Sequence, residues 1–115
     1  MIVFQRDITK SIIERYSNAD GVAFYAGAVN VETAMRLLCE RNRHVLAVIP
    51  RRCEPAALRL RRELGASIIL NPTAAMIARA SLAILECAVE VEFSPNCLVY
   101  GAAANTVMIG GKAIT

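Results

Sequence analysis

The residues best suited to ligand binding follow shortly after apolar segments that predict β-strands. They are Asp7, Gly27, Asn30, Arg51 and Arg52. Open parallel sheets bind ligands outside the carboxyl ends of their strands, so these positions are candidates for a site. Gly27 lies between two alanines, and two adjacent arginines can pair with phosphate or carboxylate. Asp7 and Asn30 can equally be helix caps, and the arginines can equally be solvated or bridged to a glutamate.

The cysteines and the single histidine do not suggest catalysis or metal binding. Cys39, Cys53, Cys87 and Cys97 are widely spaced and form no CxxC pair, which favours buried free thiols over a zinc or redox site. His44 precedes an apolar run and would lie at the opposite end of a sheet from the candidate site. We therefore predict no catalytic residue and no metal ligand.

The elements that would position these residues alternate in type from Gly21 to Pro72. The sequence runs GVAFYAG, VETAMRLLCERN, HVLAVIP, EPAALRLRRELG and ASIILNP, which is strand, helix, strand, helix, strand. Parallel strands need such crossover helices. Before this block, MIVFQ predicts a further strand and Asp7 caps the helix ITKSIIERYSNA. The pattern therefore predicts about four parallel strands with helices on both faces.

The segment from Thr73 to Ala88 predicts a helix that is apolar on almost all sides. Such a helix must be covered on more than one side, and a small domain cannot do this alone. We therefore predict self-association, as a homodimer or other homo-oligomer, through this helix. The predicted interface residues are Met76, Ile77, Leu82, Ile84 and Leu85.

After this helix the spacing of the apolar residues changes from the helical repeat to the alternation of a strand, in AVEVEF. The segments CLVYGA and TVMIG predict two further strands, and Ser94-Pro95-Asn96 and Gly110-Gly111-Lys112 predict turns. This part predicts a short antiparallel β extension. The chain therefore divides into an α/β domain, 1–88, and an extension for dimerisation or linkage, 89–115.

Composition excludes several classes of function. A chain of 115 residues is one domain or part of one, and its apolar fraction of 56% suggests that some apolar surface lies in an interface. A net charge of +3 with six Phe and Tyr residues and no Trp gives no support to nucleic-acid binding. Every apolar run is too short for direct membrane insertion. The amino terminus lacks a signal-peptide pattern, which predicts a cytoplasmic protein.

With the elements in place, the sequence resembles the RCK/TrkA nucleotide-binding domains, which regulate potassium channels and transporters. The resemblance covers IVFQRDITKSIIERYSNADGVAFYAG, VNVETAMRLLCERNRHVLAVIPRR, LRRELGASIILNPTAAMIARASLAIL and TVMIGGKAIT. It implies α/β architecture, namely a partial Rossmann-like parallel sheet followed by the β extension. It also implies a channel or transporter as partner, and a place near an adenosine moiety for Asp7.

The chain departs from that family at the phosphate site. The resemblance aligns the first residues with the third strand of a full domain, so the GxGxxG turn and its strand would be absent. A nucleotide is thus possible only by family resemblance, and the cofactor is unknown. Three hypotheses follow: a non-enzymatic regulatory or assembly module, a sensor of a small nucleotide or anion, and a small α/β enzyme of unknown reaction.

Overall fold

A computed structural model describes residues 2–28, 31–65, 67–87, 89–101 and 109–114, and of residues 2–7 it describes the backbone alone. The described elements are α1 (Ile2–Tyr16), β1 (Val22–Ala26), α2 (Val31–Arg41), β2 (His44–Val48), α3 (Glu54–Leu64), β3 (Ile68–Leu70), α4 (Ala74–Ile77), β4 (Leu82–Leu85), β5 (Glu92–Gly101) and β6 (Ile109–Ala113). A 3-10 turn, Arg51–Cys53, precedes α3. The predicted alternation of strands and helices from Gly21 to Pro72 is confirmed.

The described strands form one parallel sheet in the order β3-β2-β1-β4-β5-β6. The prediction of a parallel α/β sheet is confirmed, and this order is that of Rossmann-like folds. The prediction of about four parallel strands is wrong, because the described residues form six. The antiparallel extension is also wrong, because β5 pairs in parallel with β4, and β6 with β5. The strands within 89–115 therefore extend the same sheet.

Different elements cover the two faces of the sheet. Helices α1, α2 and α3 lie on one face, where Ile13 and Leu38 pack on side chains of β1 and β4. The other face is covered by Ile77 of α4 and by Phe93 of β5. Phe93 packs edge-to-face on Phe24 of β1, with ring centroids 5.3 Å apart. Strands β1 and β4 are thus buried on both sides, which explains why they are apolar without alternation.

The amino-terminal segment is helical, so the strand predicted for the first five residues is wrong. Helix α1 begins at Ile2, and Asp7 lies inside it instead of capping it. Phe4 stands four residues before Ile8 and eight before Ile12, which is helical spacing. A short apolar run fits either period, and its continuation into α1 decides the outcome.

The long helix predicted over 73–88 is also wrong. Thr73 caps a helix of one turn, α4, by accepting a hydrogen bond from the amide of Met76 at 3.3 Å. The run Leu82–Leu85 then forms β4 between β1 and β5, and its side chains are 0% exposed. Periodicity does not separate a buried helix from a buried strand. Pairing on both sides satisfies the backbone of this run, so the strand prevails.

The two predicted turns near the carboxyl terminus lie within strands. The segment 94–96 belongs to β5, where the pairing with β6 shifts register between Phe93 and Leu98. Gly110 and Gly111 belong to β6, with φ angles of 72° and 77°. This left-handed backbone favours glycine. The glycines therefore mark an irregular strand and not a reversal of the chain.

The helices of the described residues are short. The longest of them, α1, has 15 residues, whereas a membrane span needs about 20 apolar residues. Within the described ranges, no helix has both the length and the apolar character of a membrane span.

Candidate functional site

The carboxyl ends of β1 and β4 form the topological switch point of the sheet. The strands are neighbours, with Tyr25 beside Ile84 and Ala26 beside Leu85. After β1 the chain continues through α2 to β2, whereas after β4 it continues to β5 on the other side. Such diverging connections open a crevice where open α/β sheets bind ligands. The sequence predicted that the first strand of a Rossmann-like sheet, the one before the phosphate-binding turn, is absent. This prediction is corrected, because β1 occupies the place of that strand in the order.

A tyrosine and a glutamate are joined at the switch point. Tyr25 is 0% exposed, and its hydroxyl donates a hydrogen bond to Oε1 of Glu86, the first residue after β4. The amide of Glu86 donates to the carbonyl oxygen of Ala26 at 2.7 Å, so β1 holds both the backbone and the side chain of Glu86. Burial raises the pKa of Tyr25, and Glu86 raises it further. The hydroxyl therefore stays protonated and remains a donor.

Gly27 has no room for a side chain because Tyr25 lies against it. A β-carbon on Gly27 would overlap the Tyr25 hydroxyl and lie 2.5 Å from Cζ of the same ring and 3.1 Å from Oε1 of Glu86. The small residue predicted to leave space for a ligand thus leaves space for these two side chains. We call Tyr25, Gly27 and Glu86 together the switch-point unit.

A cleft of about 380 Å³, the α1–α2 cleft, lies between these helices and reaches Glu86. This volume is within the range of small-molecule pockets, about 300–1,000 Å³. The apolar lining residues are Ile13, Ala34 and Leu37. The polar lining residues are Thr9, Lys10, Glu32, Thr33, Arg36, Glu40 and Glu86. The cleft therefore combines an apolar surface with charged groups, as small-molecule sites do.

One of the two cations of the cleft is already paired. Arg36 contacts Glu63 at 2.5 Å and Glu32 at 3.4 Å, and the hydrogen bond to Glu63 is the main cause that raises the pKa of Arg36. Glu32 also lies 4.0 Å from Arg59. These four exposed groups largely neutralise one another.

The remaining charges of the cleft have an acidic excess. Glu40 and Glu86 carry negative charge and Lys10 carries positive charge. In the part of the chain that the structure describes, no salt bridge involves any of these three residues. Two carboxylates and one ammonium group thus have no salt-bridge partner among the described residues.

The five predicted ligand residues are brought together only in part. Gly27 is buried at the switch point. Asp7 lies on α1 with its side chain outside the described part, and Asn30 lies outside the described residues. Arg51 and Arg52 are exposed in the turn after β2.

One contact links the arginine turn to the loop after β1. The thiol of Cys53 donates to the carbonyl oxygen of Ala28 at 3.4 Å. Arg51 and Arg52 therefore lie at the same edge of the sheet as Gly27. The salt bridges of the described residues include neither arginine.

The residues of the switch point do not fit the diphosphate of a dinucleotide, the ligand that this strand order commonly binds. Such folds use a glycine-rich turn after the first strand and place the phosphates at the amino end of the next helix. Here that turn contains one glycine, Gly27, and Tyr25 occupies the space beside it. Glu32 in the first turn of α2 and Glu86 after β4 add negative charge that would repel phosphate.

Sequence reasoning missed Tyr25 and Glu86. Tyr25 was counted among the apolar residues of a buried strand, and Glu86 was placed on the predicted helix. A signal for Glu86 was present, because it follows the apolar run SLAIL just as Arg51 follows VLAVIP. A polar residue directly after a buried run marks the carboxyl end of a strand.

The predicted interface residues lie in different environments. Leu82, Ile84 and Leu85 are 0% exposed inside β4, Ile77 is 5% exposed, and Met76 is 39% exposed. Four of the five are thus buried within the chain. The long helix predicted over 73–88 is replaced by the one-turn helix α4 and the strand β4. Self-association stays a prediction without a located surface.

The sheet order makes the chain a Rossmann-like α/β protein, and its switch point is filled by its own side chains. Comparison of the chain with models of known protein families and with curated proteins finds no match.

Proposed function

We propose that this chain is a non-enzymatic binding module that takes a small organic molecule in the α1–α2 cleft. The observation that carries the proposal is that the cleft reaches Glu86, a carboxylate held in place by Tyr25 at the switch point. A fixed polar group beside an apolar lining is the usual composition of a small-molecule site. The resemblance to RCK/TrkA domains supports a regulatory use of this binding.

The chemistry of the thiols supports binding over catalysis. Burial raises the pKa of Cys97 to about 11, and burial also raises the pKa values of Cys39 and Cys87. A thiol that stays protonated near neutral pH is a weak nucleophile. Among the described residues that line the cleft there is no cysteine or histidine. Glu86 accepts a hydrogen bond from the Tyr25 hydroxyl, so it is not paired with a nucleophile that it could activate as a base.

A screen of small molecules by thermal shift, followed by titration calorimetry, tests the proposal. A ligand at 100 times its Kd stabilises the folded state by about 2.7 kcal/mol, which raises Tm by roughly 10 °C in a domain of this size. The variant Leu37→Trp fills the cleft and should abolish the shift. The matched control is Leu64→Trp, because Leu64 is also a half-buried leucine on a helix packed against the same core.

The control variant should bind as the unchanged protein does. Equal binding by the Leu37→Trp and Leu64→Trp proteins would place the ligand outside the cleft. Absence of binding by every member of the screen would remove the proposal altogether.

A second candidate function is anion binding by the arginine turn. The contact between Cys53 and Ala28 favours it, because it holds Arg51 and Arg52 at the ligand-binding edge of the sheet. Binding of inorganic phosphate or ATP that weakens with added salt and is lost in the Arg51→Gln, Arg52→Gln double variant would support this candidate. Unchanged phosphate binding in that variant would exclude the turn as its site.

A further inference from the structure

We propose that the α1–α2 cleft recognises an ammonium group on a short aliphatic chain, with Glu86 as the acceptor. This inference rests on the proposed binding function and specifies the chemical class of its ligand. It follows from three features of the cleft: an incompletely satisfied carboxylate, an acidic excess and an apolar lining.

Among the described residues, one side-chain donor reaches the Glu86 carboxylate, so most of its acceptor positions have no partner within that part of the chain. Its Oε1 accepts from the Tyr25 hydroxyl, whereas an ionised carboxylate has about four acceptor positions. The amide of Glu86 is bonded to the carbonyl of Ala26, and the Tyr25 hydroxyl holds the carboxylate itself, so the carboxylate is already positioned when a ligand arrives. An ammonium group donates three hydrogen bonds and neutralises the charge, which makes it a suitable partner.

The charge around Glu86 disfavours an anionic ligand. Arg36 is engaged by Glu63 and Glu32, so among the described lining residues Lys10 is the cation without a salt bridge, against the carboxylates of Glu40 and Glu86. A ligand carboxylate or phosphate would therefore meet a net negative lining, whereas an ammonium group would reduce it.

The apolar lining selects for an aliphatic chain. Ile13, Ala34 and Leu37 line the cleft, and burial of one methylene group strengthens binding by about fourfold. Along α2 the lining extends from Glu32 to Glu40, and eight residues of helix span about 12 Å. An extended chain of four or five carbon atoms with a polar group at each end is shorter than this length, so it can lie within the cleft.

The cleft lining offers partners for two kinds of second group on the same ligand. A second ammonium group can pair with Glu40, and a carboxylate can pair with Lys10. The shared chemistry is the ammonium group at Glu86, and the two kinds are separated by probes. We choose n-butylamine, 1,4-diaminobutane and 5-aminopentanoic acid as probes, with 1-butanol and butyrate as controls of similar shape.

Titration of the unchanged protein, followed by methyl NMR spectra, is the first measurement. We expect at least one of the three amines to bind about tenfold or more tightly than both controls, and to shift the methyl resonances of Ile13 and Leu37. This readout needs no variant, so it does not depend on whether a variant folds. Binding of butanol or butyrate as tightly as the amines would overturn the inference.

Charge removal at Glu86 is the second measurement. The variant Glu86→Gln keeps an oxygen that can accept from Tyr25, and we expect it to weaken amine binding about tenfold or more. The control is Glu90→Gln, because Glu90 is an exposed glutamate outside the cleft lining and should leave binding unchanged. Unchanged binding in the Glu86→Gln protein would overturn the assignment of Glu86.

The outcomes also separate this inference from the proposed function. Binding of an uncharged or anionic molecule that is lost in the Leu37→Trp protein would refute the ammonium ligand and retain the cleft as a site. Failure of all molecules to bind in the cleft would refute both.

Discussion

The variant Tyr25→Phe removes one hydroxyl from the switch-point unit and leaves its ring. Because the Tyr25 ring is 0% exposed, phenylalanine fills the same space, and the loss is that of the hydrogen bond to Glu86. A hydrogen bond to a charged group contributes about 1.5–3 kcal/mol. Glu86 is half-buried, so water replaces part of the lost bond. We expect the free energy of unfolding to fall by about 1–2 kcal/mol at pH 7.

Alkaline pH isolates the contribution of this hydroxyl. Burial, and then Glu86, raises the pKa of Tyr25 in the folded protein, whereas a tyrosine in an unfolded chain titrates near about pH 10. Below that pH the hydroxyl is protonated in both states, and its stabilisation is fully present. Above it the unfolded chain releases a proton that the folded protein retains, so this group lowers stability by about 1.4 kcal/mol per pH unit.

Urea denaturation followed by circular dichroism from pH 7 to pH 11 measures this difference. The advantage of the unchanged protein over Tyr25→Phe should be constant to about pH 10 and shrink above it. Tyr100→Phe, at a half-buried tyrosine on β5, controls for the loss of a hydroxyl. Parallel stability curves for the unchanged and Tyr25→Phe proteins throughout this range would refute the assigned role of Tyr25.

Three further predictions test the fold. Gly27→Ala should lower stability by about 1–3 kcal/mol, because its β-carbon overlaps the neighbouring tyrosine; denaturation at pH 7 equal to that of the unchanged protein would contradict this. Leu82→Glu should prevent folding or cost more than about 4 kcal/mol, whereas Met76→Glu should be nearly neutral by circular dichroism, because only Met76 is exposed. Gly65 and Gly111 both have a positive φ, which costs an alanine about 1–3 kcal/mol of strain at either position. Gly111→Ala should cost more than Gly65→Ala, because only the β-carbon at Gly111 meets other atoms. Equal urea midpoints for these two variants would argue against the described path of β6.

The middle of the fold could be predicted from the sequence because its signals are local. The helix α3 has Pro55 in its first turn and Gly65 after its end, and β2 is followed by Pro50. Proline fixes its own φ, and glycine permits the positive φ that ends a helix, whatever the rest of the chain does. The two crossover units follow from such signals and from helical spacing between them.

The half of the sheet formed by β4, β5 and β6 could not be predicted in the same way. The run SLAIL becomes a strand because β1 and β5 lie on either side of it, and its own spacing does not distinguish the two structures. The strand β5 continues through Pro95 because its pairing with β6 is irregular there. Both outcomes depend on partners distant in sequence.

The same limit explains the candidate site. Gly27 was identified from its place after a strand, but the reason for the glycine is the Tyr25 ring and the carboxylate of Glu86. Glu86 lies 61 residues after Tyr25, and only the strand order brings the two together. The cleft itself requires the packing of α1 beside α2, which periodicity does not specify.

Methyl NMR titration of the unchanged protein with the molecules that bind it shows whether the α1–α2 cleft is the ligand site. If it is, the methyl resonances of Ile13, Ala34 and Leu37 shift together and saturate at one Kd. Shifts confined to residues beside Arg51 and Arg52, with the resonances of the cleft unchanged, would contradict this assignment of the site.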